Sequence, residues 1–81
     1  MPSGRVIMMD WVVEALRALE RRAPLLNIAR HVWNNHEQDI RAAGDLLYEW
    51  QYELRWAGDL LRRDGVIRPA DDSPRGIWEL S

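Results

Sequence analysis

Cysteine is absent from the 81 residues, so no disulfide framework and no thiolate metal site can form. Phenylalanine is absent too, which leaves the large-volume packing to five tryptophans and the aliphatic side chains. Each Trp can bury on the order of 200 Å². Lysine is missing as well, so all 11 basic residues are arginines. Arg presents a planar fork suited to phosphate and guanine, although all-Arg usage also follows from genome composition. No apolar run reaches the length of a membrane span, and the opening MPSGRVIMMD lacks the apolar stretch of a signal peptide. The expectation is a soluble cytoplasmic protein. A basic excess is lacking as well: 13 acidic residues outnumber the arginines and the net charge is −2. Nucleic-acid binders commonly carry the opposite balance, so the total argues against one. No basic tail offsets it, since residues 1–54 hold six Arg and eight acids and residues 55–81 hold five of each.

What is present is enough for one domain, expected over residues 1–81, with a hydrophobic content of 47%. A chain of this size buries only about 60–65% of the surface it exposes when unfolded, so its stability margin is thin. From about Arg5 to Arg22, Met9, Val12, Val13, Leu16 and Leu19 recur at helical spacing, and a first helix is expected there. Asp10 caps that helix, or the helix starts near Gly4; the sequence leaves both open. Pro24 suits the first turn of a second helix, whose stripe Leu25, Ile28, Ala29, Val32 and Trp33 fades at Asn34-Asn35-His36. Residues 37–44 read as a loop or a weak extra turn. Gly44-Asp45 reads as a stop and an N-cap, and a third helix is expected from Leu46 to about Asp64 with Gly65 as its C-terminal cap. On a wheel, Leu46, Trp50, Leu54, Ala57 and Leu61 share one face. Val66-Ile67-Arg68 and Ile77-Trp78-Glu79-Leu80 read as two short strands around a turn-rich loop, a β-hairpin that must pack on the helices.

Three helices followed by a two-stranded wing is the order of a winged helix-turn-helix, and the fold class expected is mainly α with a C-terminal β-hairpin. The stretch YELRWAGDLLRRDGVI (Tyr52 to Ile67) followed by RGIWELS (Arg75 to Ser81) resembles the N-terminal domain of Mrr-type restriction endonucleases. Trp56-Ala57, Leu61, Gly65, Gly76 and Trp78 stand at the family's matching places, while Ala15-Leu16-Arg17-Ala18-Leu19 fits more loosely. The likeness spans nearly the whole chain, with residues 52–81 carrying its specific motifs. At two positions often basic in the family, this sequence has Glu53 and Gly58. The resemblance implies DNA binding, as a small transcription regulator or as the target-reading domain of a restriction system. The family's nuclease domain does not follow the wing here, so the chain is expected to be a free-standing small protein or an excised N-terminal domain.

Catalysis is not expected. The family's nucleases use an acid pair and a Lys, and there is no Lys here. Ser3, Ser73 and Ser81 have no His-acid partner visible in sequence. His31 and His36 are five apart and do not share a helix face, so neither a metal nor any other cofactor is expected. The informative surface is the outward side of the third helix. There Gln51 suits adenine, Arg55 suits guanine, and Tyr48 and Tyr52 suit phosphates. Arg62 continues that side, and Arg68 and Arg75 in the wing would clamp the duplex backbone. Trp56 lies off the buried stripe; it fills a gap against the wing or the first helix, or joins an exposed patch used for dimerisation. The partners expected are double-stranded DNA and a second copy in a homodimer, with a nuclease domain or other protein as a further one. The alternative is a winged-helix protein–protein interaction module without DNA binding, favoured by the net acidity, Glu53, Gly58, Asp59, Asp71 and Asp72.

Overall fold

Proline 24 sets the first boundary. The residue before a proline is pushed out of the helical region, so Ala23 is extended and the first helix has to stop ahead of it. In the computed structural model, which describes residues 4–81, α1 spans Gly4–Ala18 and does not reach Arg22. Ser3 and the rest of residues 1–3 lie outside the described residues. The Arg21 N–H donates to the Leu16 carbonyl at 2.7 Å, closing α1 with a reversing turn in which Glu20 and Arg21 take φ of +65° and +72°. Helix termini favour glycine at such a place, and here two L-residues occupy it. Because α1 begins at Gly4, Asp10 lies inside it and caps nothing.

The chain then forms β1 (Arg22–Pro24) and enters α2 (Leu25–Ala42). α2 runs well past Trp33, through the stretch expected to be a loop or a weak turn, with one non-helical residue at His36 (φ −132°, ψ 16°). The cause is burial: Ile28, Val32 and Ile40 are fully buried, and the fourth place in that four-residue spacing is held by His36. α3 (Leu46–Arg63) follows a turn at residues 43–45. Asp45 does not cap it through its side chain. Backbone carbonyls of Ala43, Gly44 and Asp45 accept from the N–H groups of Leu46, Leu47 and Tyr48 instead. At the other end Gly65 (φ +77°) donates to the Arg62 carbonyl and Val66 to the Leu61 carbonyl, which completes a glycine cap of the expected kind.

β2 (Ile77–Glu79) pairs antiparallel with β1 in the register Arg22↔Glu79, Ala23↔Trp78 and Pro24↔Ile77. The hairpin expected between 66–68 and 77–80 is therefore reduced to one bridge, Ile67↔Leu80, flanked by Arg68 N–H to the Glu79 carbonyl and Ser81 N–H to the Val66 carbonyl. Two constraints shorten it. The N–H groups of Val66 and Ile67 both point back to the Leu61 carbonyl at the end of α3, and Pro69 has no N–H to extend the ladder. Between the bridge and β2 the chain makes a 3₁₀ turn at Ala70–Asp72.

The core gathers Met8, Val12, Ala15 and Leu16 of α1, Ile28, Val32 and Ile40 of α2, and Leu54, Ala57 and Leu61 of α3, closed by Ile67, Trp78 and Leu80. Trp78 is buried, whereas Trp11, Trp33 and Trp50 are half-buried at its margin, Trp33 stacking on Trp50 with ring centroids 5.5 Å apart. Trp78 lies directly on the backbone of α3 at Gly58, where an added Cβ would fall 2.3 Å from Cη2 of the ring. Two outcomes follow for urea unfolding. Gly58→Ala lowers the unfolding free energy by about 1–3 kcal/mol, the usual cost of overpacking; an unchanged midpoint would refute the tight seat. Glu20→Gly raises it by about 1 kcal/mol by removing a left-handed L-residue; a loss of stability would refute that reading of the α1 turn.

Candidate nucleic-acid interface

The α3 stripe that faces inward leaves a complementary side in solvent. Leu46, Leu54, Ala57, Gly58 and Leu61 are buried and Trp50 half-buried, so Tyr48, Gln51, Tyr52 and Arg55, at helical spacing on the other side, are all exposed. Tyr48 is 86% exposed and Tyr52 59%. Among the described residues, Arg55 has no hydrogen-bond or ion-pair partner. The first half of α3 thus presents two phenols, an amide and a guanidinium with nothing in the fold using their polar atoms. Gln51 also borders an apolar groove formed by Leu26, Ala29, Arg30, Trp33, Asn34 and Trp50.

Glu53 and Gly58 are both engaged within the fold. Glu53 is half-buried and holds Arg5 of α1 through Oε2 at 2.9 Å and Oε1 at 3.5 Å. The same Arg5 guanidinium lies 5.0 Å from the Trp56 ring centroid, and Tyr52 meets that ring edge-on at 6.3 Å. Trp56 is 40% exposed, and Arg5 covers it from the α1 side, so it braces α3 against the first helix. Gly58 is occupied by the Trp78 contact and has no space for a basic side chain.

The three remaining arginines are divided. Arg62, in the last turn of α3, lies over Trp78 at 5.6 Å and shares an open cleft of about 510 Å³ with Arg75, Asp71, Ser73 and Trp78. Arg68 belongs to a different cleft, with Glu20, Arg21, Arg22 and Glu79, where its Nε is 3.7 Å from Glu79 Oε1. The structure brings Arg62 and Arg75 together and sets Arg68 with the strand carboxylate.

Two arrangements were not anticipated from the sequence. His36 stacks on Trp11 (centroids 4.1 Å apart, planes 9° from parallel), with Nε2 3.2 Å from both carboxylate oxygens of Glu14. The four-residue spacing Ile28, Val32, His36, Ile40 is the signal that finds it. Ser73 Oγ and Arg62 Nε are both shielded from solvent without a hydrogen-bond partner. Among the described residues, no three His, Asp or Glu side chains gather as a metal site, and no helix is long and apolar enough to cross a membrane.

Comparisons with family models, with curated proteins and with solved structures return no match to this chain. Exposure of Tyr48 and Arg55 predicts that neither is needed for folding. Tyr48→Ala and Arg55→Ala should each leave the unfolding free energy within about 0.5 kcal/mol of the parent in urea titration; a loss beyond about 1 kcal/mol in either would assign that residue to the scaffold.

Proposed function

We propose that this chain is a DNA-binding winged-helix module that binds duplex DNA with α3 in the major groove, acting as a small regulator or as the target-reading domain of a restriction system. It is a binder in this reading and not a catalyst. The observation that carries it is the row Tyr48, Gln51, Tyr52 and Arg55, exposed along one side of α3 with Arg55 unpaired among the described residues. Amide and guanidinium groups read base edges, and phenols reach phosphates. The element order supports it too: three helices, with the loop before β2 carrying Arg75 beside the end of α3. Arg62, Arg68 and Arg75 supply backbone contacts, Arg68 in competition with Glu79. A single domain of this size covers little DNA surface, so a homodimer on two half-sites belongs to the same proposal.

A second reading, a protein–protein interaction module without DNA binding, is favoured by the exposed aromatic trio Tyr48, Tyr52 and Trp56 and by the net charge of −2. Fluorescence anisotropy with a labelled mixed-sequence duplex separates the two. The DNA reading expects affinity that falls steeply as salt rises. Arg55→Ala should weaken binding about tenfold, and Arg75→Ala should lower the salt slope by about one. No complex with genomic DNA at low salt would overturn it and leave the protein-interaction reading in place.

A further inference from the structure

Near the start of α2, Leu26 is an apolar side chain left 59% exposed, and it lines an open groove of about 420 Å³ between α2 and the first half of α3. The rest of the apolar lining is Ala29, Trp33 and Trp50. Trp33 and Trp50 are half-buried and stacked with centroids 5.5 Å apart, so both keep indole surface in solvent after the core has closed. A single exposed Leu is ordinary, but a contiguous apolar surface holding two indoles is the kind that anchors a partner.

Charge selects the partner. Arg30 is the one charged residue lining the groove, and the two remaining lining residues are neutral amides. Arg30 is exposed and forms no ion pair or hydrogen bond among the described residues. Further along α2, Glu37 is held by Arg41 at 2.8 Å, and the Arg41 guanidinium lies 5.4 Å from the Trp33 ring centroid. The groove therefore has no carboxylate of its own for Arg30, and an occupant has to bring one. Two copies meeting groove to groove would enclose both Arg30 side chains with no acid from either lining, a costly burial of unpaired charge. That excludes a second copy docked through the same surface.

Shape selects the conformation. On α2 the lining runs from Leu26 to Asn34, about 12 Å at 1.5 Å per residue. Both walls are helices, whose backbone groups are satisfied along their length, so the groove has no free edge for an extended strand. A helix satisfies its own backbone and can lay an apolar stripe into such a groove.

We infer that this groove docks an acidic amphipathic helix of another protein, with its apolar stripe on Leu26, Trp33 and Trp50 and a carboxylate paired to Arg30. The docking surface goes beyond the DNA reading and stands without it; the groove shares only Gln51 with the outward row of α3.

The probe is a phage-displayed library of random peptides about 16 residues long, enough for four helical turns, panned against the immobilised chain. Enriched peptides should carry apolar residues at helical spacing, with Asp and Glu outnumbering Lys and Arg. Synthesised and titrated into ¹⁵N-labelled protein, they should move the Trp33 and Trp50 indole N–H signals to saturation. Leu26→Ser changes an exposed position, keeps the urea midpoint and should weaken binding about tenfold, as loss of an anchor contact does. Panning against Arg30→Glu should reverse the charge preference towards Lys and Arg. No enrichment over the bare support, or enrichment without an acidic bias, would overturn the docking site. So would peptides that move other indole signals and leave Trp33 and Trp50 still. A duplex oligonucleotide that saturates those two signals while no peptide is enriched would assign the groove to nucleic acid and overturn the helix. The peptide measurements contain no DNA, so their failure leaves the DNA reading standing, and a chain that binds no DNA can still keep the groove.

Discussion

Tryptophan 78 can rest on α3 because Gly58 has no side chain, and much of the molecule is arranged around that contact. A glycine inside a helix costs roughly 1 kcal/mol relative to alanine, and the burial of a large indole offsets it. With Trp78 seated, β2 lies along the end of the core with its free edge available, and β1 takes that edge. The β1 pairing in turn anchors the link between α1 and α2, with Leu80 N–H donating to the Arg21 carbonyl and Leu25 N–H to the Gly76 carbonyl. Arg62, four residues beyond Gly58 on the same side of α3, meets the same ring, so the contact that closes the core also forms the floor of the Ser73 cleft.

Net charge says little about such a surface. Several carboxylates are occupied by partners within the fold: Glu53 with Arg5, Glu37 with Arg41, Glu79 with Arg68, and Glu14 with His36. Arg55, Arg63 and Arg75 have no ion-pair partner among the described residues, and Arg62 and Arg63 at the end of α3 also suit the negative end of the helix dipole. Exposed Asp59 lies one turn from Arg55 and from Arg63 on α3, and Asp71 shares a cleft with Arg62 and Arg75, so these acids weaken the field of the cations. The balance is local, and it differs between the two halves of α3.

The extent to which the sequence discloses this structure varies with the length of each signal. α3 was legible because five apolar residues repeat over four turns and Gly65 closes them; its exposed side followed from the same wheel. β1 was not, because Arg22-Ala23-Pro24 is too short to show alternation and its proline reads as a helix start. Pro24 keeps Ala23 extended, but it is pairing with the edge of β2, a tertiary effect, that makes the segment a strand. The second half of α2 was hidden by polar composition: a single buried Ile40 holds it on the core, and His36 substitutes an aromatic stack for an aliphatic contact. The Ser73 cleft had no periodic signal at all. Its depth depends on how the loop between Pro69 and Gly76 folds over Trp78, which no pattern within the loop encodes.

Contacts to phosphates fix where a protein sits on a duplex, while contacts to bases choose the sequence. The candidate contact groups on α3 fall in two separate places. Tyr48, Gln51, Tyr52 and Arg55 occupy its first half, and Arg62 with its loop partners lies two turns beyond Arg55, about 10 Å along the axis at 1.5 Å per residue. Asp59 sits between them on the exposed side and is disfavoured against a phosphate backbone. Under the proposed reading, Arg62 and Arg75 at the far end of α3 would meet the duplex backbone while the first half lay in the major groove, with Asp59 kept off the backbone. An interaction module without DNA would instead use the exposed rings of Tyr48, Tyr52 and Trp56, so the outward side of α3 is the surface on which the two readings differ most.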